Sequence, residues 1–277
     1  MIPAVRWCSC AVFVVACSAQ AQQLPQVPQL PLWELGVFGG GASTPAYPGS
    51  ADHSARGLAL PYLIYRGDVV RVDQQGIGAR LARSERVELD VGLAASLPAN
   101  SDDVTARAGM PSLGTLIEVG PRVKITLARP APNSRIRLDL PLRAVIEARG
   151  GWRGQGYTFE PRLMYEANGA QEHWTFDANI GMVFGDRKIN RYFYEVRPEF
   201  ASAERPAYQA DPGLVLVRVG ATGSRLINPD LRLYAFARYE NYASAANRDS
   251  PLMQKTSGYS AGLGFAWALK YSSQPAR

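Results

Sequence analysis

The chain has 277 residues, is 47% apolar and 19% charged, and has a mean hydropathy of −0.14. That length suits one or two soluble domains or one membrane barrel of modest size, and no run of about 18 apolar residues permits a helical membrane span. Thirty basic against 24 acidic residues give a net charge of +6; this modest excess suits anionic lipid headgroups or lipopolysaccharide, and no nucleic-acid motif accompanies it.

Residues 1–21 read as a secretory signal peptide: Arg6, an apolar stretch Ala11–Ala16, then the small-residue cut site Ala19-Gln20-Ala21. Val14-Val15-Ala16-Cys17 is a rival, lipoprotein-type cut. All three cysteines (Cys8, Cys10, Cys17) fall in this leader, so a chain cut after Ala21 has no disulfide, thiolate metal site or cysteine nucleophile. A Gln/Pro linker follows over 22–31, and 32–271 reads as one barrel, with a tail at 272–277.

Alternating segments predict strands near 33–41, 57–66, 69–82, 86–97, 114–128, 135–148, 157–167, 173–184, 191–201, 213–224, 230–242 and 258–271. Each places apolar residues on one face and polar or small ones on the other, and no helix-period segment of useful length competes. In the last, Tyr259, Leu263, Phe265, Trp267, Leu269 and Tyr271 alternate with Ser260, Gly262, Gly264, Ala266, Ala268 and Lys270. Soluble strands usually run about 5 to 6 residues, whereas a tilted membrane-crossing strand needs about 9 to 11. An aromatic-rich alternating last strand is also the signal for outer-membrane insertion, so the fold class is all-β, a single transmembrane antiparallel barrel of the bacterial outer-membrane type. Twelve strands fit the usual even number, with 10 or 14 as alternatives.

Arg66-Gly67-Asp68 and Asn168-Gly169-Ala170 read as short periplasmic turns, and Pro98–Leu113, Glu204–Pro212 and Ala243–Ser257 as long loops of the opposite rim. Aromatic residues such as Trp33, Tyr65, Trp152, Trp174 and Tyr271 sit near strand ends, at headgroup level. Pro121, Pro141 and Pro161 fall inside predicted strands; a closed barrel has no free edge for them, so bulges or rim positions are predicted.

The inward faces form a polar ladder of Glu118, Arg122, Lys124, Arg137, Asp139, Arg143, Glu160, Arg162, Glu166 and Asp177, joined by Glu88, Asp90, Arg218, Arg232, Arg238 and Glu240. Both signs are interleaved, which suits a salt-bridged interior that narrows or closes the lumen. A narrow pore for small solutes is the alternative, although strong ion selectivity would need rings of one sign. His173, Thr175 and Asp177 share one strand face at a spacing reminiscent of a hydrolase triad, but Thr stands where Ser is needed and the face is luminal. His53 has no fixed partner, and two distant histidines give no metal-ligand spacing. No catalytic residue, metal or cofactor is assigned.

Three segments carry a resemblance: Thr44-Pro45-Ala46-Tyr47-Pro48-Gly49-Ser50 leading to Pro61-Tyr62-Leu63-Ile64-Tyr65; Gly109-Met110-Pro111 followed by Glu118-Val119-Gly120; and Asp249-Ser250-Pro251 ahead of the last strand. Each is also a plausible turn former. In this order along a barrel pattern, the chain resembles the MipA/OmpV family of outer-membrane proteins, from which it departs in the tail after Tyr271. The resemblance implies a non-enzymatic barrel in the bacterial outer membrane. It also implies a scaffold for a lytic transglycosylase and a bifunctional murein synthase.

Overall fold

A computed structural model describes residues 30–276 apart from 68, 74–75 and 97–103. The predicted leader, its cut sites and most of the Gln/Pro linker lie outside the described residues. Thirteen strands run in chain order: β1 (Trp33–Pro45), β2 (His53–Arg66), β3 (Val70–Asp73), β4 (Gly76–Arg83), β5 (Val87–Ser96), β6 (Thr115–Ala131), β7 (Ser134–Ala148), β8 (Trp152–Phe159), β9 (Arg162–Asn168), β10 (Trp174–Gly185), β11 (Gly213–Asn228), β12 (Leu231–Asn241) and β13 (Ser257–Tyr271). One helix, α1 (Arg187–Tyr194), lies between β10 and β11.

Every pairing is antiparallel between neighbours, and β13 pairs with β1, so the sheet closes. β8 and β9 both pair with β7 and with β10 in the same direction. They are therefore one stave broken at Glu160-Pro161, and the barrel has twelve staves.

The alternation is inside-out relative to a soluble protein. On β13, Leu263 is 73% exposed on the outer face while Ser260, on the other face, is 5% exposed. Such an outer wall of Leu, Val, Ile, Phe, Tyr and Trp is stable only against hydrocarbon.

The count of twelve conceals two compensating departures from the sequence reading. The predicted strand 69–82 is a hairpin of two short strands, β3 and β4. The predicted strand 191–201 is not a strand: it holds the end of α1 and a 3-10 turn at Pro198–Phe200. Asp186 caps α1, its carboxylate accepting from the Ile189 amide at 3.0 Å, and Arg191 pairs with Glu195 one turn on. Burial of Ile189, Asn190 and Tyr194 then fixes the helix.

The prolines also depart from expectation, since none sits at a bulge or a rim. Pro121 and Pro141 stand in mid-strand, and between β6 and β7 the ladder passes from Val119–Ala144 to Arg122–Pro141 without a change of register. Pro161 occupies the break between β8 and β9, where its carbonyl accepts from the Met182 amide at 3.1 Å, while the Pro141 carbonyl accepts from the Glu160 amide at 3.1 Å. The missing donors are gathered on adjacent staves, so one seam carries the loss.

Both termini share a rim with the short β2–β3, β4–β5, β6–β7, β9–β10 and β11–β12 turns. There the tail runs back along residues 30–33, with the Leu32 amide donating to the Gln274 carbonyl at 2.8 Å. The long connections gather at the opposite rim. Short periplasmic turns and long external loops are the general rule for such barrels, so the terminal rim is the periplasmic one.

Candidate functional site

Charged side chains from adjacent staves meet inside the wall in two networks. In the first, Arg122 grips Asp90 with both ends of its guanidinium (2.9 and 2.8 Å), and Lys124 bridges Asp90 (2.7 Å) and Glu88 (3.1 Å). Arg80 completes it on Glu88 at 3.0 Å. The second network starts at Glu118, which Arg143 reaches at 3.1 Å, and Arg143 also faces Glu160 at 3.7 Å. Glu160 joins Arg162 (3.8 Å) and Arg218 (2.9 Å). From Arg162 the chain of contacts passes to Asp139, then Arg137, then Glu166, which also holds Arg135. Arg218 continues to Glu240 at 2.8 Å, with Arg238 at 4.0 Å.

The two networks follow from cross-strand register. Asp90 lies opposite Arg122, Glu88 opposite Lys124, and Arg218 opposite Glu240, so period-two patterning on each strand becomes a row of opposite charges across the sheet. Nine of the ten ladder residues named above take part. Asp177 differs: its register partner is Glu166, and among the described residues it forms no ion pair. Arg80 and Arg135 are participants outside the predicted ladder; the strand of Arg80 was merged with β3.

The rest of the lumen is lined differently. On β1 and β13 the inward residues are small, among them Gly36, Gly40, Gly262 and Gly264, and Phe38 lies over Gly264 and approaches Tyr234 at 6.2 Å between ring centroids. Charge therefore fills one wall, and rings over glycines line the other.

The long-loop rim is closed by a small core of its own. Tyr47, Val104, Met110, Leu113, Val196 and Leu252 are buried together, and Tyr194, Ala210, Val215, Leu216, Tyr242 and Ala245 form a second cluster beside them. Ile189 of α1 reaches down to Leu116 and Val145 of the barrel wall. Glu147, below this helix, accepts from the Gly114 amide (2.9 Å), the Tyr192 hydroxyl (2.9 Å) and the Gln155 amide group (2.8 Å).

Three loop segments that looked like separate turns in the sequence meet in this cap. The Tyr47 hydroxyl donates to the Leu252 carbonyl at 2.7 Å, and the Ser250 hydroxyl to the Tyr194 carbonyl at 2.7 Å. Gly49, with φ of +89°, offers its carbonyl to the amides of Gln254 (2.8 Å) and Lys255 (3.0 Å). Arg107, preceding Gly109-Met110-Pro111, donates to the carbonyls of Phe193 and Pro111 and lies 5.8 Å from the Tyr47 ring centre. Burial pushes the Tyr47 phenol up to about 12, against the opposing pull of Arg107. Burial also raises Tyr192, Tyr194 and Tyr242. The remaining motif positions belong to the wall or the solvent: Pro45 ends β1, Pro61 and Tyr65 lie on β2, Glu118 and Gly120 on β6, and Asp249 is exposed beside Arg248.

His173, Thr175 and Asp177 do not assemble. The Thr175 hydroxyl is bonded to Ser224 at 2.8 Å, and among the described residues no hydrogen bond joins His173 to Thr175 or Asp177.

A closed antiparallel barrel with an apolar outer wall, short turns beside the termini and a charged interior is an outer-membrane protein. The profile of the family described as "MltA-interacting protein MipA" matches residues 37–269, and the chain belongs to that family. Among solved structures, the chain is similar to the NanC porin at 11% identity, covering 85% of this chain and 100% of that one, with a TM-score of 0.41. It is also similar to a bacterial polysaccharide outer membrane secretin (10%, 87% and 99%, TM-score 0.40) and to outer membrane phospholipase A from Escherichia coli (8%, 87% and 94%, TM-score 0.34). No curated protein matches the sequence.

Proposed function

We propose that this barrel is a non-enzymatic scaffold that holds murein-remodelling enzymes, a lytic transglycosylase and with it a bifunctional murein synthase, at the inner face of the outer membrane. The family's description as interacting with a transglycosylase supports the partner class. The observation that carries the reading to a surface is a cleft of about 510 Å³ on the periplasmic rim, lined by Arg83, Ser84, Glu85, Arg86, Thr126 and Arg129 among others. Three guanidiniums share this cleft with one carboxylate, and among the described residues none of the three is ion-paired. In the lumen, by contrast, Arg80, Arg122, Arg137, Arg143, Arg162 and Arg218 are each matched to an acid. Unmatched cations at a rim steer and anchor an acidic protein face. The outer wall itself is the partner surface for lipid and lipopolysaccharide.

The test is in-cell photocrosslinking from Ser84 and, as a control, from Ala261 on the outer wall, followed by mass spectrometry. Recovery of a transglycosylase from Ser84 and its loss in the triple variant Arg83→Glu/Arg86→Glu/Arg129→Glu supports the scaffold. Recovery of lipopolysaccharide and insertion machinery alone from both positions overturns it.

A further inference from the structure

The second network leaves hydrogen-bonding capacity over on one stretch of the luminal wall. Arg162 lies 3.8 Å from Glu160 and 3.5 Å from Asp139, and Arg238 lies 4.0 Å from Glu240, yet among the described residues neither guanidinium donates a hydrogen bond. Their acids are already engaged. Arg137 holds both oxygens of Asp139, Arg218 reaches Glu160 at 2.9 Å, and Glu240 takes Arg218 on one oxygen and the Tyr242 hydroxyl on the other. Arg162 Nε is buried without an acceptor, a cost that a bound acceptor removes.

Cross-strand register gathers these groups. Staves β9 to β12 place Met164, Asn179, Gly220 and Arg238 in one luminal row, and Arg162, Gly181, Arg218 and Glu240 in the next. The Asn179 amide group makes no hydrogen bond among the described residues. Gly220 keeps the ground between Asn179 and Arg238 open: a methyl group added there would touch Asn179 and the Ala237 carbonyl at 3.4 to 3.6 Å and overlap neither. Arg162, Asn179 and Arg238 thus converge as donors around a glycine floor, which is the surrounding a carboxylate needs.

One step towards the periplasmic rim on the same face of β10 stands Asp177. Its neighbours by register are Glu166, held by Arg135 and Arg137, and the uncharged Thr222. Its carboxylate is therefore an unmatched acceptor beside unmatched donors. Asp177 and Asn179 are two residues apart, roughly 7 Å along the strand, so hydrogen bonds of about 2.8 Å from each reach the two charged groups on one α-carbon. An anion alone meets repulsion from Asp177, and a cation alone meets it from the two arginines. We propose that the lumen holds a site for a small zwitterion of the α-amino acid class, its carboxylate on Arg162, Asn179 and Arg238 and its ammonium on Asp177. The cap occupies the long-loop rim, so the ligand enters from the periplasmic end. The inference stands apart from the scaffold reading, because neither the periplasmic cleft nor a partner enzyme takes part.

Saturation-transfer NMR on the full barrel in detergent micelles reads the site, with alanine as the probe and acetate and ethylamine as its singly charged counterparts. The expected result is transfer to alanine, with acetate and ethylamine bound about tenfold more weakly, because each leaves a charged group of the site unmatched. Asp177→Asn breaks no ion pair among the described residues, so the wall keeps its contacts; it lowers alanine affinity about tenfold and strengthens acetate. Arg238→Gln weakens alanine and acetate together. The periplasmic triple variant Arg83→Glu/Arg86→Glu/Arg129→Glu retains alanine binding, and loss of the signal there would seat alanine at the rim and overturn the proposal. Absence of transfer to alanine in the wild type overturns it too, as does binding that neither Asp177→Asn nor Arg238→Gln changes.

Discussion

The Tyr47 hydroxyl donates to the Leu252 carbonyl at 2.7 Å, joining the first and last long loops across 205 residues of sequence. Tyr47 is 3% exposed and Leu252 fully buried, so neither group has water as a substitute partner. Removing the hydroxyl in Tyr47→Phe leaves a buried carbonyl unmatched and weakens the cap by about 1 to 3 kcal/mol. Tyr47→Ala adds a cavity and costs about 3 to 5 kcal/mol. Protease cleavage within the 242–256 connection reports the loss, while the shift on boiling in detergent gels, which reports the barrel, stays as in the wild type.

The same cap has a defined alkaline limit. With its phenol raised to about 12 by burial, Tyr47 stays protonated in the closed cap at pH values where an opened one ionises. The closed form therefore binds more protons, and its advantage is complete below about pH 10 and falls as the pH rises towards 12. Tyr192, Tyr194 and Tyr242 shift in the same direction and steepen the loss. Limited proteolysis of the loops should be flat from pH 7 to 9 and accelerate above 10, with Tyr47→Phe showing the shallower rise.

Inside the wall, the Arg122–Asp90 grip is a buried pair with side chains 8% and 6% exposed. Arg122→Ala strands Asp90 with Lys124 alone and is expected to cost about 3 to 5 kcal/mol, measured by urea unfolding from lipid vesicles. Arg122→Met with Asp90→Leu removes both charges; it should recover most of that loss, although Lys124 then keeps only Glu88. Recovery separates a structural pair from a charge required for transport, because a transport role would fail in both variants.

Gly120 tests the proline seam. A methyl group added there overlaps the Leu142 carbonyl of β7, at the rungs the ladder omits beside Pro121. Gly120→Ala must push the two strands apart and should lower the unfolding midpoint, whereas Gly92→Ala, which meets nothing within 4 Å, should be near neutral. Equal effects of the two changes would mean that the seam is not tight.

Period two on β6, β7, β10 and β13 made the wall and its polar lining readable from the chain, because one face of each strand meets lipid and charges are forced to the other. Arg191 to Ala201 misled for a physical reason. Tyr192-Phe193-Tyr194 is strong strand sequence, and what makes it helical is the Asp186 cap and burial against Leu116, Val145 and the loop clusters, all distant in sequence. The cap was equally hidden: Pro45-Ala46-Tyr47-Pro48-Gly49-Ser50 and Asp249-Ser250-Pro251 read as local turns, and only the fold brings them together.

Whether the lumen conducts depends on the cap and on the second charged network. α1 inserts Ile189, fully buried, between Leu116 and Val145 at the long-loop rim, while the second network spans β6 to β12 beneath it. The cap closes the long-loop rim and the network narrows the lumen from the β6–β12 side, so breaking either alone leaves the other obstruction in place. Wild-type protein in planar bilayers should therefore show little ion flow, Ile189→Asp alone should add little, and Arg143→Glu alone should destabilise the wall by facing Glu118 and Glu160 with a third acid. Ile189→Asp combined with Arg143→Ala removes an anchor of the plug and a tie of the lattice together, and conductance should appear only there. Steady wild-type conductance that vanishes on charge reversal at Arg122 and Arg143 would instead place solute passage, and not enzyme tethering, at the centre of what this barrel does.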